Sequence, residues 1–327
     1  MLAIILLMVL LPCCILLGFF SQMFHDSQES LSVDGTQLSP WRWFFALAVP
    51  IFIVKRGLTK KSLDKSGALA AYFVGFILTL TSYGFFLALL TFFVVGSVAT
   101  KHKGKFKKKI EGDFKEGGQR NWAQVVCNGG VASEFAMVIL MDIGVGEQII
   151  DFNGLPHASW LCVCVIGAIA CCCGDTLASE LGVVYAKGQP RLITTLSKVP
   201  KGTNGGVSLV GTFFSALGGA LVGLAYYISL LVFIEPRYLH SVPPQYPIIL
   251  VGAAMGLVGS VIDSLLGATV QYSGYDTDSG VIVERKGPGV KHVSGFHILD
   301  NHSVNLLSSL LTSILSPYIA HAIYDCF

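Results

Sequence analysis

The strongest constraint on the fold of this chain is the recurrence of long apolar stretches. They occur at 43 to 54, which is short, and at 2 to 20, 67 to 83, 84 to 99, 123 to 142, 158 to 176, 206 to 233, 247 to 269 and 303 to 322. A helix of about 20 apolar residues spans the hydrocarbon core of a bilayer. Only 13% of the 327 residues are charged, against roughly 25% in a soluble domain. We therefore predict an all-α, polytopic membrane bundle of about nine spans.

The loops between these stretches alternate in charge. Basic residues crowd every second loop, including the run KHKGKFKKK at 101 to 109, and the intervening loops share a single one, Arg237. The positive-inside rule predicts that the basic loops are cytosolic. We interpret the lysine run as a topology signal that also attracts anionic headgroups. The bilayer is thus a predicted partner, a nucleic acid is not, and the oligomeric state stays open.

The N-terminal 40 residues differ from the rest of the chain. The stretch 2 to 20 lacks a basic start and a small-residue cleavage site, which favours a retained anchor over a cleaved signal peptide. We predict an anchor helix and a lumenal or exoplasmic loop over 1 to 40, followed by one multi-span domain over 41 to 327. Most cysteines lie inside apolar stretches without the spacing of zinc ligands, so we interpret them as small packed residues.

Small residues recur every four positions in three of the predicted helices. The three rows are Ala170, Gly174, Ala178 and Gly182, then Gly211, Ser215, Gly219 and Gly223, then Gly252, Gly256, Ser260, Ser264 and Ala268. Such rows let helices approach closely inside a bilayer. We expect these helices to form a tight inner bundle, with the neighbouring Asp175 and Asp263 directed at the protein interior.

Short matching stretches suggest an internal repeat. NGGVAS at 128 to 133, NGGVSL at 204 to 209 and NHSVNL at 301 to 306 share an Asn followed three residues later by Val. Each is predicted to open a helix that leaves the cytosol. The pattern is consistent with parallel repeats about an axis along the membrane normal.

Polar residues gather at the predicted cytosolic ends of the helices. They are Arg120, Asn121, Gln124 and Asn128; Asp175, Thr176, Ser179 and Glu180; Lys201, Thr203 and Asn204; Asp263, Ser264, Thr269 and Gln271; and Asp300, Asn301, His302 and Asn305. Carboxylates, amides and hydroxyls suit Mg²⁺, which often bridges to substrate phosphates. Lys201 lies in the glycine-rich KGTNGG, which is predicted to precede a helix N-terminus, a favourable place for an anion. The pattern favours phosphoryl chemistry.

Several of these residues also have purely structural interpretations. Lys201 fits a positive-inside signal, Asn128 and Asn301 fit helix caps, and Glu180 fits a solvated interfacial acid. Asp175 and Asp263 are the hardest to explain in this way, because both lie in apolar helices. The chain contains no P-loop, zinc-protease, dinucleotide or protein-kinase motif.

Five motifs together resemble the transmembrane protein 19 family. They are RNWAQVVCNGG, GDTLASELG, KGTNGGVSLVGT, VIDSLLGATVQ and LDNHSVNLLSS, and the resemblance covers about residues 40 to 327. Plant and cyanobacterial relatives of that family include phytyl-phosphate kinase. The resemblance implies a kinase that uses CTP or ATP and Mg²⁺ to convert an isoprenyl monophosphate into the diphosphate. The farnesyl, geranylgeranyl and longer prenyl phosphates are the expected acceptors, and the endoplasmic reticulum is the expected membrane.

The resemblance and the residue chemistry together assign roles. We expect Asp175, Lys201 and Asp263 to be catalytic. Mg²⁺ is expected at Asp175, Glu180, Asp263 and Asp300. The nucleotide and acceptor phosphates are expected at Arg120, Asn128, Ser179, Gly202, Thr203, Asn204 and Asn301.

Three questions stay open at this point. On an ideal helix Asp175 and Glu180 point about 140° apart, so either the helix unwinds at this motif or one of the two does not reach the metal. An acceptor with a free hydroxyl would need an Asp as base. A transporter or ion-coupled exchanger also uses intramembrane carboxylates, and a non-catalytic lipid-binding scaffold could use them as internal contacts.

Overall fold

The computed structural model describes residues 40–104 and 118–327. The predicted anchor and the loop after it, up to residue 39, lie outside the described residues, as does most of the lysine run. The helices are α1 Pro40–Thr59, α2 Lys65–Thr81, α3 Tyr83–Lys101, α4 Trp122–Asp142, α5 Pro156–Tyr185, α6 Leu209–Phe233, α7 Pro236–Leu239, α8 Ile248–Val270 and α9 Asn301–Tyr324. The strands are β1 Arg191–Leu192, β2 Gly206–Val207, β3 Ser273–Asp276, β4 Ile282–Val283 and β5 Val290–Ser294.

Short polar residues set the starts of the helices. Asn121 and Gln124 form a reciprocal capping box at the start of α4. The side chain of Ser208 accepts a hydrogen bond from the N–H of Gly211 at the start of α6, and Asp300 accepts one from Ser303 at the start of α9. These side chains satisfy amide groups that have no partner within the helix.

The all-α membrane architecture predicted from the apolar stretches is confirmed. Within the described residues, six helices are long and apolar enough to cross a membrane, namely α3, α4, α5, α6, α8 and α9. The helix α2 is apolar but has only 17 residues, and α1 carries basic residues at both ends. For these two and the N-terminal stretch, crossing stays a prediction.

The helix α5 is longer than the sequence suggested. Its predicted end was residue 176, but it continues without a break to Tyr185 and is 30 residues long. The whole GDTLASELG motif is therefore helical, and the alternative in which the helix unwinds there is wrong. The prediction failed because polar residues after Thr176 face a cavity and not lipid, so their polarity does not end the helix.

The predicted tight bundle of three helices is confirmed in α5, α6 and α8. A Cβ placed on Gly219 would lie 2.0 Å from the carbonyl oxygen of Gly252, and one on Gly174 would lie 2.7 Å from the Cα of Gly256. No side chain fits in these contacts, so the backbones meet directly. The cysteines of α4 and α5 are buried and free, as expected for small packed residues.

Two small antiparallel sheets cover one end of this bundle. The strand β1 pairs with β2, with Arg191 opposite Val207. The strands β4, β3 and β5 form a second sheet in that order. The N–H of Asn204 donates to Ser273 Oγ over 3.1 Å, which joins the two sheets.

The three Asn stretches of the predicted repeat occupy different places. Asn128 lies inside α4, Asn204 lies in a turn before β2, and Asn301 is the first residue of α9. The interpretation of Asn128 and Asn301 as helix caps is wrong, because Asn121 caps α4 and Asp300 caps α9. The repeat itself stays a prediction.

Candidate functional site

A polar cavity of about 620 Å³ opens at one end of the bundle. Its wall is built from the N-terminal ends of α4, α6 and α9, the C-terminal ends of α5 and α8, and the turns that carry the two sheets. Every residue that the sequence predicted for the site lines this cavity. These are Arg120, Asn128, Asp175, Ser179, Glu180, Lys201, Gly202, Thr203, Asn204, Asp263, Asp300 and Asn301.

Asp175 and Asp263 form the acidic part of the cavity. They lie on neighbouring helices, close enough for their charges to interact. Ser308 Oγ donates to Asp263 Oδ2 over 3.0 Å, and Ser260 lies near Asp175. Two like charges held together in a low-dielectric bundle repel each other strongly unless a proton or a cation lies between them.

Glu180 and Arg120 form a second charged group at the mouth of the cavity. Glu180 acts electrostatically on Arg120, while Arg120 Nη1 donates to Ser97 Oγ over 3.0 Å. Burial lowers the pKa of the Arg120 guanidinium, and the Glu180 charge opposes that effect. A guanidinium stays charged in proteins. Glu180 thus lies near a fixed cation, on a different face of α5 from Asp175.

Lys201 is held against the end of α5. Its ammonium donates to the carbonyl oxygens of Val183, at 3.1 Å, and Ala186, at 2.8 Å. A cation in this place offsets the negative end of the helix dipole. Lys201 therefore caps α5 and also lines the cavity. The capping role is not evident from the sequence.

The KGTNGG segment forms a turn, and the expectation that it directly precedes a helix is wrong. Thr203 N–H donates to the Pro200 carbonyl and Gly206 N–H donates to the Thr203 carbonyl, and β2 follows before α6 begins at Leu209. Gly205 has φ +77, and a Cβ there would lie 2.5 Å from that of Ala268. Only glycine fits this turn, because the backbone is both left-handed and pressed against α8.

The first turn of α9 brings amides to the opposite wall. Asn305 Nδ2 donates to Asn128 Oδ1 over 3.2 Å, which ties α9 to α4. Asp300 is the N-cap of α9. Gln271 Nε2, at the end of α8, donates a hydrogen bond to Asn301 Oδ1 over 3.5 Å.

Glu284 is a cavity residue that no sequence pattern predicts. This residue lies between β4 and β5, in a loop that was interpreted only as basic. Gln271 Nε2 donates to Glu284 Oε1 over 2.7 Å, and Asn204 Nδ2 lies 3.4 Å from the same oxygen. The only signal in the sequence was one acid within VIVERKGPGV, and nothing local connects it to Asn204.

The four predicted metal ligands do not form one preassembled cluster. Within the described ranges, no three His, Cys, Asp or Glu side chains come together as a metal site. Asp175 and Asp263 are neighbours, whereas Glu180 lies near Arg120 and Asp300 caps α9. The cavity therefore combines one close carboxylate pair, three further acids, two cations and several amides, and the predicted Mg²⁺ stays a prediction.

Comparison with known proteins decides the family. Residues 48–313 match the family described as integral membrane protein DUF92. The chain belongs to the DUF92 family. All of the cavity residues named above lie within the matched segment. No solved structure matches the chain significantly.

Relatives of this DUF92 chain come from plants and archaea. Protein PGR of Arabidopsis thaliana is 41% identical over 283 residues, which cover 85% of this chain and 98% of that protein. An uncharacterized membrane protein of Methanocaldococcus jannaschii is 31% identical over 279 residues, 84% of this chain and 93% of that one. Protein VTE6, chloroplastic, of A. thaliana is 27% identical over 297 residues, 88% and 74% of the respective chains.

Proposed function

We propose that this protein is a Mg²⁺-dependent kinase that transfers a phosphoryl group from CTP or ATP to an isoprenyl monophosphate. The observation that carries the proposal is the pairing of Asp175 with Asp263 in the same cavity as Lys201 and Arg120. Carboxylates among membrane helices are costly and are retained where a ligand needs them. A phosphate-bound metal is the ligand that suits both charges.

The carboxylate pair fits Mg²⁺. This ion usually keeps several waters and takes only one or two carboxylates plus substrate phosphates. Asp175 and Asp263 would hold it, and Ser308 orients the carboxylate of Asp263 through its hydroxyl. Bound there, Mg²⁺ supplies charge neutralisation on the nucleotide phosphates. Glu180 and Asp300 have other neighbours, so we assign the metal to the pair and not to all four acids.

The reaction needs no strong base. An oxygen of the acceptor monophosphate forms a bond to the γ-phosphorus, the bond from that phosphorus to the β–γ bridging oxygen breaks, and CDP or ADP leaves. The acceptor is largely dianionic at neutral pH, because its second pKa is about 6. The protein contributes positioning and charge neutralisation, as in other phosphoryl transfers.

The other polar residues divide between the two substrates. Lys201, at the end of α5, and Asn204 and Glu284, near the sheets, line one side of the cavity and suit the nucleotide. Arg120 and Asn128 line the α4 side and suit the acceptor phosphate, since an arginine binds phosphate through several parallel hydrogen bonds. The two substrates would then meet above the carboxylate pair.

The proposal includes an orientation and a location. The loops nearest the cavity mouth are basic, which the positive-inside rule assigns to the cytosol. A cytosolic nucleotide would enter the cavity directly, and a lipid substrate would arrive from the bilayer. Prenyl metabolism makes the endoplasmic reticulum the first membrane to examine. The resemblance to a family whose relatives include phytyl-phosphate kinase supports the same reaction.

A direct assay tests the proposal. The purified full-length protein in lipid nanodiscs is incubated with Mg²⁺, γ-labelled CTP or ATP, and farnesyl, geranylgeranyl or phytyl monophosphate. We expect label to appear in the corresponding diphosphate and to require Mg²⁺. Absence of turnover with every chain and both nucleotides, together with solute flux in liposomes, would overturn the kinase in favour of a transporter. Absence of both activities would favour the scaffold.

A further inference from the structure

A second, apolar groove lies beside the polar cavity. It runs between α1, α2, α3 and α4, and its wall includes Ile53, Ala71, Leu89, Leu90 and Phe93. These side chains are partly exposed on the lateral surface of the bundle. With α1 and α2 in the membrane, as their apolar sequences predict, that surface faces lipid. The groove therefore connects the bilayer with the interior of the protein.

Three polar residues belong to both the groove and the cavity. Arg120, Gln124 and Asn128 line each of them. Gln124 and Asn128 are four residues apart and lie on one face of α4, and Arg120 lies in the extended segment just before the N-cap Asn121. We call these three residues the boundary row. This row is the boundary between an apolar compartment and a polar one, and it carries a single formal charge, the Arg120 guanidinium.

The position of Arg120 is fixed on both its backbone and its side chain. Its N–H donates to the Ser62 carbonyl over 3.1 Å, and its carbonyl accepts from Asp64 N–H over 3.1 Å. The guanidinium carbon lies 5.8 Å from the ring centre of Phe92 and 5.8 Å from that of Phe93. A Cβ on Gly96 would lie 3.1 Å from Nη2. The cation is thus held rigidly at the inner end of the groove, against two aromatic rings.

The groove is much smaller than the polar cavity. Its space is about 80 Å³, a small fraction of the roughly 620 Å³ of the polar cavity. A single chain can occupy it next to Arg120 while the rest of that chain lies in the bilayer. We expect a lipid with two acyl chains to fit less well, because its glycerol backbone and second chain must also be placed next to Arg120.

We propose that the groove binds the apolar chain of a single-chain lipid monophosphate, whose phosphate lies at Arg120 on the boundary row. The inference rests on the proposed function for the reaction, but the binding itself needs no nucleotide. Charge complementarity fixes the polar end, and burial of the first part of the chain among Leu89, Leu90 and Phe93 provides the apolar contacts. The distal part of the chain contributes little, so the site is expected to tolerate different chain lengths.

Binding without nucleotide tests the proposal. Full-length protein in phosphatidylcholine nanodiscs is titrated with radiolabelled farnesyl monophosphate. In Leu90→Trp an indole fills the groove, and we expect binding to weaken about tenfold, which is ~1.4 kcal/mol. The matched control is Leu69→Trp on α2, whose side chain is 62% exposed and does not line the groove; its affinity should stay within about twofold of wild type. Equal affinities of the two variants would overturn the proposal.

Competition with unlabelled compounds distinguishes a single-chain lipid phosphate from a two-chain lipid phosphate and from free phosphate. Unlabelled geranylgeranyl monophosphate should displace farnesyl monophosphate with similar affinity. Dioleoyl phosphatidic acid and inorganic phosphate should each compete at least about tenfold less well, since the first has two chains and the second has none. Equal competition by phosphatidic acid would contradict a single-chain groove, and equal competition by inorganic phosphate would contradict any groove.

A photochemical measurement keeps the proposal testable if Leu90→Trp does not fold. A farnesyl phosphate analogue with a diazirine on the isoprene unit nearest the phosphate is cross-linked to the wild-type protein, and the site is mapped by mass spectrometry. Label on α1 or α3 near Ile53 and Leu90 supports the groove. Label confined to α5, α6 and α8 would overturn it.

The two proposals fail in different ways. If the lipid binds with the expected pattern but no diphosphate forms, the groove proposal stands and the kinase proposal is wrong. If diphosphate forms and the KM for farnesyl monophosphate is the same in wild type and Leu90→Trp, the kinase proposal stands and the groove proposal is wrong.

Discussion

The hydroxyl of Ser308 in α9 donates a hydrogen bond to the carboxylate of Asp263 in α8, with Oγ and Oδ2 3.0 Å apart. The next residue, Ser309, is also buried, but its hydroxyl has no hydrogen-bond partner within the described part of the chain. The two adjacent serines therefore differ in their contacts. Ser308 orients a carboxylate of the proposed metal pair, and Ser309 does not.

This difference gives a matched pair of variants. Ser308→Ala should lower kcat/KM by roughly tenfold, because a hydrogen bond to a charged group contributes about 1.5–3 kcal/mol. The Mg²⁺ concentration for half-maximal activity should also rise. Ser309→Ala should leave both unchanged. Both are measured in the diphosphate assay at varied Mg²⁺, and identical behaviour of the two variants would show that Ser308 does not orient Asp263.

The glycine contact between α6 and α8 predicts a loss of stability. In Gly219→Ala the new methyl group would lie 2.0 Å from the Gly252 carbonyl oxygen, and overpacking of this kind costs about 1–3 kcal/mol. Gly130→Ala in α4 is the control, since its nearest neighbour, Val126 Cγ1, is 3.5 Å away. That variant should be neutral or gain up to about 1 kcal/mol of helix propensity. Unfolding in detergent measures both, and equal midpoints would contradict the close contact.

Substitution of Lys201 should change the affinity for the nucleotide, in addition to removing a helix cap. Lys201→Gln removes the charge near the phosphates and should raise the nucleotide KM by about tenfold or more. Lys198→Gln, at an exposed position outside the cavity, should not change it. If Lys201 only caps α5, its variant would lower the thermal midpoint while the nucleotide KM stayed at the wild-type value.

We predict that a buried acid at the opposite end of the bundle stabilises the protein and has no role in catalysis. The carboxylate of Glu147 is 5% exposed and accepts hydrogen bonds from Arg42, at 3.3 Å, Ser82, at 2.6 Å, and the N–H groups of Tyr83 and Gly84, each at 2.9 Å. It ties the loop after α4 to α1 and to the start of α3.

Glu147→Ala should therefore destabilise the protein by about 3 kcal/mol, because it leaves the charge of Arg42 without its buried partner. The exposed Glu235→Ala, in the loop after α6, should have little effect. The kcat of Glu147→Ala should equal that of wild type at temperatures where the variant stays folded. A lower kcat under those conditions would mean that this end of the bundle communicates with the cavity.

The helices and the cavity residues could be predicted from the sequence for the same reason. Apolar stretches of spanning length are rare outside membranes, and polar residues inside them, such as Asp175 and Asp263, are costly enough to mark a site. The small-residue rows also predicted which helices pack together. These signals are local or periodic, so a single sequence contains them.

What could not be predicted depends on contacts between distant segments. The proximity of Glu284 to Asn204 follows from how two sheets fold over the cavity, and no local pattern encodes it. The extension of α5 to Tyr185 depends on the cavity that its polar face lines. The apolar groove is invisible in sequence, because its leucines and phenylalanines resemble those that face lipid.

The most direct test of the kinase proposal compares phosphoryl transfer by wild type, Asp175→Asn and Asp278→Asn. Asp278→Asn makes the same chemical change at an exposed position outside the cavity. We predict Mg²⁺-dependent diphosphate formation by wild type and Asp278→Asn. We predict a kcat at least about a hundredfold lower in Asp175→Asn, the scale seen when one group that stabilises transition-state charge is removed. Wild-type kcat in a folded Asp175→Asn, at the same Mg²⁺ concentration, would contradict it.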